Sequence, residues 1–247
     1  MTEPLATGKT AEGKISELVE LAQALGAHPA RLALWNEGSA AMKISDSAYA
    51  VTPRNAVLGR IKPADLCELD LAKMLALAAS DSAPQETIDE AILQPGSAPP
   101  TADALLYAYL LNFEDVRFAV HVHPVEVNQI TASPRARQFA DRRTFPHEVI
   151  ACGTAALLVP YADPGLALAR EVQRKMILWR DRFKMTPKLV LVQNHGMFVL
   201  GKTHEQIFMT TEMTIKAAQT FSGAAVLGGP IFLTPSNVTQ IEAAKEF

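Results

Sequence analysis

The sequence has few cysteines, no large excess of either charge and no long hydrophobic run. Its 247 residues contain two cysteines, Cys67 and Cys152, which lack the short spacing of a metal-binding motif. We therefore expect two free, buried thiols and a cytoplasmic location. A net charge of −3 and a pI of about 6.1 argue against nucleic acid or a membrane surface as the main partner. No apolar run reaches the roughly 18 residues of a membrane span, and we expect no secretory signal.

The composition favours a protein with a large core, because 49% of the residues are hydrophobic and 20% are charged. No linker or repeat divides the chain, so we predict a single domain over residues 1–247, with about residues 1–12 disordered or extended. Apolar periodicity predicts an α/β fold with helices on both faces of a mixed sheet. Predicted helices cover residues 15–28, 62–80, 102–112 (capped by Thr101), 164–182, 203–224 (capped by Thr203) and a short C-terminal stretch. Predicted strands lie within residues 40–53, 116–123, 154–161 and 187–203.

Two of the six histidines stand one residue apart in an apolar run, RFAVHVHPVEVNQ, residues 117–129. Alternate side chains of a strand point to the same face, so His121 and His123 share one face with their Cα atoms about 7 Å apart. Pro124 ends the strand at once, which places the pair where a site opens to solvent. The two imidazoles either make ordinary hydrogen bonds at an edge strand or bind one metal ion.

A third histidine, His195, stands at a strand break in VLVQNHGMFVLG, beside Gly196. Glycine at that position permits an unusual backbone angle or a close approach of another group. Three neutral imidazoles leave an open position on Zn²⁺ for water or substrate, which is the pattern of a catalytic zinc site. We therefore predict that His121, His123 and His195 bind Zn²⁺, although other divalent metals also suit these ligands.

Metal-dependent proton transfer also needs a carboxylate. The candidates close to the histidine pair in sequence are Asp103, Glu114, Asp115 and Glu126. Each of them is also explained as a solvated surface charge or as a partner of a helix dipole.

The chain resembles the class II aldolase/adducin family in two segments, VRFAVHVHPVEVNQITA and LVLVQNHGMFVLGKTHEQIFMTTEMTIKAAQ. A third segment, GRIKPADLCELDL (59–71), resembles the family's intervening segment, and the ordered set spans about residues 31–222. Within the family, the chain is most similar to the aldolase part of rhamnulose aldolase/dehydrogenase proteins, through ALLYAYL and YADPGLALAREV.

The resemblance implies a three-layer α/β/α sandwich with a mixed, largely antiparallel central sheet, usually as a homotetramer with sites near subunit boundaries. It also implies that the three histidines hold zinc, which polarises the carbonyl of a small sugar, sugar phosphate or hydroxy-carbonyl substrate. A carboxylate moves a proton while an enediolate forms or collapses, and a C–C bond beside the carbonyl breaks or forms. The implied function is a zinc-dependent, aldolase-type lyase of carbohydrate metabolism.

The chain departs from the family pattern at the residues that transfer protons. Alignment of the helices without a gap puts Asp103 at the position of the family glutamate and Tyr107 at that of a family histidine. Aspartate is one methylene shorter, so Asp103 acts as a base, becomes a metal ligand, or does neither. Asp103 and Tyr107 are the predicted catalytic residues.

The loops that are predicted to bind the substrate also depart from the family. The segment WNEGSAAMK keeps Gly38 but has Ser39 where the family has asparagine, and VTPRN stands where the family has Thr-Pro-Ser-Gly. Arg54 and Asn55 remain able to bind a phosphate or carboxylate, and Ser97 adds a hydroxyl. These five residues form the predicted substrate-binding set.

Two other functions remain open. An epimerase or decarboxylase uses the same enediolate chemistry, so the sequence does not separate it from a lyase. Adducin-like members of the family are non-catalytic assembly modules. The intact histidine triad argues against that reading, and the altered base and anion-binding loops argue for it.

Overall fold

The computed structural model describes residues 11–94 and 96–244. Within these residues seven strands form one sheet, in the order β3-β2-β1-β4-β7-β6-β5. Neighbouring strands are antiparallel except for the parallel pair β5 and β6. The strands are β1 Ser39–Lys43, β2 Ala48–Val51, β3 Cys67–Asp70, β4 Phe118–Val122, β5 Leu157–Val159, β6 Leu189–Val192 and β7 Gly196–Gly201. The predicted α/β fold with a mixed, largely antiparallel sheet is confirmed.

Ten α-helices surround the sheet in the part of the chain that the structure describes. They are α1 Ala11–Gly26, α2 Leu71–Ala79, α3 Gln85–Asp89, α4 Ala104–Leu111, α5 Val125–Thr131, α6 Ala136–Asp141, α7 Pro146–Cys152, α8 Leu166–Phe183, α9 His204–Val226 and α10 Pro235–Ala244. None of the described helices is both long and apolar enough to cross a membrane. Of the N-terminal segment predicted to be disordered or extended, residues 1–10 lie outside the described residues, and residues 11 and 12 begin α1.

The sheet separates two hydrophobic cores. Residues of α1, α5, α6, α7 and α9 fill the core on one face, and residues of α2, α4 and α8 fill the core on the other. The central strand β4 feeds both cores, because Val120 and Val122 belong to the first and Ala119 to the second. His121 follows the period of Ala119, so it points to the face that α4 covers.

The prediction of a helix over residues 62–80 is wrong in its first half. Residues 63–65 form a 3-10 turn, and β3 follows with Cys67 and Leu69 buried and the intervening side chains half-buried. Pairing with β2 decides this segment, since a long-range ladder overrides local helix propensity. Helix α2 begins only after Asp70, whose Oδ1 accepts the N–H of Lys73 at 2.9 Å.

Helix α4 does not begin at the predicted cap Thr101. It begins at Ala104 with Asp103 as the preceding residue, and Thr101 Oγ1 accepts the N–H of Asp103 at only 3.4 Å. The strands predicted within residues 40–53 form an antiparallel hairpin, β1 and β2, and the Thr203 cap is confirmed, with Thr203 Oγ1 accepting the N–H of Gln206 at 3.2 Å. Both cysteines are free and buried, as predicted.

One end of the sheet gathers the segments that the sequence singled out. Ser39, at the start of β1, is the register partner of His121, near the end of β4. The turn between β6 and β7 reaches the same end, because Met197 pairs with Val122. The loop after β2 joins them, since the N–H of Thr101 donates to Thr52 O at 3.2 Å. Antiparallel pairing thus brings residues that are distant in sequence to one edge.

We predict that Gly26→Ala destabilises the fold by about 3 kcal/mol or more, because an added Cβ would meet backbone atoms that cannot move aside. The Cβ would lie 2.7 Å from Gly59 Cα and 2.7 Å from the carbonyl carbon of Leu58. Gly223, inside α9, has nothing within 4 Å of such a Cβ, so Gly223→Ala should stabilise by about 0.5–1 kcal/mol. Urea unfolding followed by circular dichroism measures both changes. Equal changes in the free energy of unfolding for the two substitutions would contradict the claim that close packing of α1 against the 58–60 turn requires glycine at position 26.

Candidate metal centre

The three predicted histidine ligands converge. One ligand nitrogen from each of His121, His123 and His195 lies within 4.8 Å of the others. The ring centroids are 4.4 Å apart for His121 and His123, 4.8 Å for His121 and His195, and 5.4 Å for His123 and His195. Each ring has a buried nitrogen without a hydrogen-bond partner: His121 Nε2, His123 Nδ1 and His195 Nδ1. Unpaired buried nitrogens on neighbouring imidazoles are a costly arrangement, and a divalent ion that takes one nitrogen from each ring would satisfy part of it.

Backbone contacts fix the directions of these rings. β4 ends at Val122, and His123 just beyond it donates its N–H to Leu32 O at 2.8 Å. This hydrogen bond holds Leu32, in the loop before β1, next to the histidine pair. Asn194 has a φ of 53°, a left-handed conformation that asparagine tolerates, and it turns the chain so that His195 lies between β6 and β7.

Gly196 is required by close approach rather than by an unusual backbone angle. A Cβ at this position would lie 2.6 Å from His123 Cδ2, 2.8 Å from Val122 O and 3.2 Å from His121 Nε2. Any side chain there would displace the rings. The glycine after His195 is therefore part of the site, as one of the two sequence-based explanations anticipated.

A buried chain of hydrogen bonds lies behind His121. His121 Nδ1 donates to Asp103 Oδ2 at 2.9 Å, and Ser39 Oγ donates to the same oxygen at 2.6 Å. Ser39 has one hydroxyl proton, so Tyr107 must be the donor in its 2.7 Å contact with Ser39 Oγ. With the proton on Nδ1, His121 turns the lone pair of Nε2 toward the other two rings. A carboxylate behind a histidine is the usual way to orient a metal-ligating ring.

The electrostatics keep the members of this chain in fixed protonation states. Burial alone would raise the pKa of Asp103, but the electrostatic interaction with His121 and hydrogen bonds from His121 and Ser39 hold that pKa below its usual value. Burial, followed by the negative charge of Asp103, raises the pKa of Tyr107 well above its usual value. Asp103 is therefore an ionised acceptor and Tyr107 a neutral donor near neutral pH.

The sequence did not identify Phe198 as part of the site. Its ring stacks on that of His121, with centroids 4.0 Å apart and planes at 15°, and Tyr107 meets Phe198 edge-on at 6.1 Å. Phe198 is the register partner of His121 on β7. Only the register of β4 with β7 could have identified Phe198. That register depends on which strands pair and is not encoded in a local motif.

The structure separates the predicted substrate-binding residues into two groups. Gly38 has a φ of 77° and an added Cβ would lie 2.9 Å from His121 O, while Ser39 belongs to the buried chain behind the triad. The other three lie in loops: Arg54 donates to Gln85 Oε1 at 2.8 Å, Asn55 Oδ1 accepts from Asn36, and Ser97 donates to Gln94 O. Among the described residues, no hydrogen bond joins these three to a histidine of the triad.

The two half-buried histidines of the triad favour the neutral form. Burial, followed by the charges of the neighbouring histidines, lowers the pKa of His123 to about 3. Burial and the charge of His121 lower that of His195 to about 4. Neutral imidazoles are the form that binds a metal ion.

We predict that the metal-free protein loses stability as the pH falls from about 7 to about 5. In this window the unfolded chain binds protons at His123 and His195, whereas the folded chain does not, so the free energy of unfolding rises with pH. The loss at about pH 5 should be about 1–2 kcal/mol for His123, and less for His195, which solvent screens more. Urea unfolding at several pH values measures the slope. His123→Gln should flatten the slope; an unchanged slope in His123→Gln would contradict the assignment.

Several solved structures are similar to this chain over most of its length. No curated protein matches the chain. A class II aldolase domain from Thermoplasma acidophilum is 21% identical, with a TM-score of 0.68 over 90% of this chain and 99% of that one. YgbL from Klebsiella pneumoniae, for which aldolase, epimerase and decarboxylase are candidate activities, is 18% identical, with a TM-score of 0.71 over 95% and 100%. An L-fuculose 1-phosphate aldolase is 14% identical, with a TM-score of 0.72 over 97% and 98%.

At these identities the solved structures establish the fold only. The family model for the class II aldolase and adducin N-terminal domain matches residues 16–222, which include every residue of the triad and of the hydrogen-bond chain behind it. The chain therefore belongs to the class II aldolase and adducin family.

Proposed function

We propose that the protein is a metal-dependent, aldolase-type lyase that cleaves or forms a C–C bond next to a carbonyl in a small sugar, sugar phosphate or hydroxy-carbonyl substrate. The observation that carries the proposal is the convergence of His121, His123 and His195, since one ligand nitrogen from each lies within 4.8 Å of the others. Three histidine ligands and no protein carboxylate among them are typical of a site that keeps a position for substrate. We propose Zn²⁺ as the metal, and a homotetramer and a cytoplasmic location also remain predictions.

A divalent ion held there would polarise a substrate carbonyl and stabilise the negative charge that develops as the C–C bond breaks. The side chains of this protein supply the rest. The triad would hold the ion, and Phe198 fixes the plane of the His121 ring by stacking on it. Gly196 keeps the backbone close to the rings without a side chain to displace them, and Gly38 lies against the carbonyl oxygen of His121.

The described contacts support a positioning role for Asp103. Its Oδ2 already accepts from both His121 and Ser39, so that oxygen is committed to holding the metal ligand. Its lowered pKa also makes it a weak base. The roles of Asp103 as the catalytic base and of Tyr107 as a catalytic residue therefore stay predictions, and Tyr107 is supported as a buried donor within the same chain.

Substrate recognition is proposed for the loop residues Arg54, Asn55 and Ser97. Arg54 is exposed and its described partner, Gln85, is neutral, so its charge remains available to an anion. Ser39 was predicted to bind substrate, but its hydroxyl is used inside the buried chain. A guanidinium beside an amide and a hydroxyl suits a phosphate or carboxylate group of the substrate.

Epimerisation or decarboxylation is the main alternative, because the same ion and the same proton-transfer groups would serve either reaction. A non-catalytic assembly module is the second alternative. Unpaired buried nitrogens on three converging rings weigh against it, since a scaffold has no use for an arrangement that costs stability.

We predict that Asp103→Ala lowers the affinity for Zn²⁺ by about 10–100-fold, because His121 loses the carboxylate that orients it. Competition with a chromophoric chelator measures this affinity. Tyr107→Phe, which removes only the last hydroxyl of the chain, should retain most of it. If Asp103 were the base instead, Asp103→Ala would keep full metal affinity and lose turnover alone.

We also expect retro-aldol turnover of ketose phosphates or hydroxy-acids by the zinc-loaded protein, and none by His123→Ala. Arg54→Gln should raise KM for the phosphorylated compounds by about tenfold without lowering kcat, since a charge-assisted bond is worth about 1.5–3 kcal/mol. Arg174→Gln is the control, because Arg174 is exposed and its charge is paired with Glu171 on α8. Metal-loaded protein that yields only epimerised or decarboxylated products would replace the lyase proposal, and failure to take up any divalent metal would favour the assembly module.

A further inference from the structure

A cavity lies at the other end of the sheet from the triad. It has a volume of about 670 Å³ and lies between α6, α8 and α10, against residues 154–158 at the amino end of edge strand β5. His195 follows the carboxyl end of β6, which runs parallel to β5. The cavity and the triad are therefore separated along the strands, and no triad residue lines the cavity.

Positive charge is concentrated around this cavity. The charged residues that line it are five cations and two carboxylates: Arg137, Arg142, Arg143, Lys175 and Arg182 with Asp141 and Glu242. Five minus two gives a local charge of +3, in a chain whose net charge is −3. A concave surface of one sign focuses its field on ions of the opposite sign.

Part of this positive charge is not paired with a carboxylate of the described residues. Arg137 pairs with Asp141 at 3.5 Å, and the buried Arg143 pairs with Glu148 at 3.7 Å. Within the described residues, Arg142, Lys175 and Arg182 have no carboxylate oxygen within 4.0 Å. Three cations without a carboxylate at salt-bridge distance therefore line a single cavity, with Arg142 over the Phe232 ring and Arg182 over the Phe183 ring.

The cavity also has an apolar wall. Lys175, Leu178, Trp179 and Arg182 recur at the spacing of one helix face on α8. Trp179 stacks on Phe183 with ring centroids 4.1 Å apart. The wall thus offers an aromatic and aliphatic surface flanked on the same helix by two cations.

Two buried N–H groups in the lining residues lack partners. Trp179 is only 8% exposed and Arg143 only 2%. Trp179 Nε1 and Arg143 Nη2 are buried and have no hydrogen-bond partner among the described residues. Orphaned buried donors are uncommon and indicate an acceptor that completes the site. Both donors belong to side chains that line the cavity, although Trp179 and Arg143 each also line a neighbouring smaller cavity.

We propose that this cavity binds a phosphorylated small molecule. Its phosphate would lie among Lys175, Arg142 and Arg182, and its remaining atoms would lie on Leu178 and Trp179. The volume falls within the range of roughly 300–1,000 Å³ that small-molecule sites occupy. This site is separate from the metal centre and does not depend on the reaction proposed for it.

Trp179 provides a direct test, because the chain has only two tryptophans and the other, Trp35, is 89% exposed. In a Trp35→Phe background, the fluorescence of Trp179 is titrated with pyrophosphate and with ribose 5-phosphate, against sodium chloride at matched ionic strength. The protein is first treated with a chelator, so that a metal at the triad cannot bind the phosphate. We expect a saturable change with a Kd of about 1 mM or tighter for at least one probe.

The substitution Lys175→Gln with Arg182→Gln should weaken this binding by at least about tenfold, since two charge-assisted contacts are lost. Both side chains are on the surface of α8, so the fold should persist, and circular dichroism checks this. Arg174→Gln, on the same helix but outside the cavity, should leave binding unchanged. No saturable change with either probe would overturn the proposal. Binding that survives the double substitution but disappears in His195→Ala would also overturn it and would assign the phosphate to the metal centre.

Discussion

The hydrogen bond of 2.9 Å between His121 Nδ1 and Asp103 Oδ2 is the contact on which the candidate centre depends. It sets which nitrogen of His121 carries the proton and which faces the other two rings. The bond requires α4 to begin where it brings Asp103 within reach of His121. It also requires β4 to pair in register with β1 and β7, so that Ser39 and Phe198 flank His121. A shift of one residue in β4 would turn His121 to the opposite core.

The same constraint separates what the sequence could predict from what it could not. The triad was predictable because two histidines at a spacing of two share a face wherever a strand forms, and a glycine after His195 indicates a close approach. The role of Asp103 was not, since its contact with Ser39 spans 64 residues and no local pattern encodes it. Strand β3 was missed for a related reason, because its pairing with β2 outweighs the helical pattern that follows it.

Left-handed backbone conformations occur in several loops near the centre, although Lys184 at the end of α8 adopts one as well. Trp35, Asn55 and Asn194 have φ values of 55°, 58° and 53°, and Gly38 has a φ of 77°. Left-handed conformations of residues other than glycine cost free energy and persist only where surrounding contacts impose them. Here the contacts include the bond between Asn36 and Asn55 and the tie between Leu32 and His123. These loops are therefore held in shape before any ligand binds, which lowers the entropy lost on binding.

In the proposed site, the aspartate at position 103 would make metal binding and proton transfer separable. A carboxylate with a lowered pKa, already bonded to a metal ligand, is well suited to hold that ligand and poorly suited to accept a proton from substrate. A longer glutamate would carry its carboxylate one methylene further from the helix, past the position where Ser39 and His121 now meet it. The shorter side chain thus lets Asp103 Oδ2 accept from both His121 and Ser39, which suits the proposed positioning role better than that of a base. A chain can therefore keep the histidine triad without keeping the reaction of its family. Binding the metal depends on the nitrogens of the triad, whereas proton transfer depends on a carboxylate that is free to accept a proton.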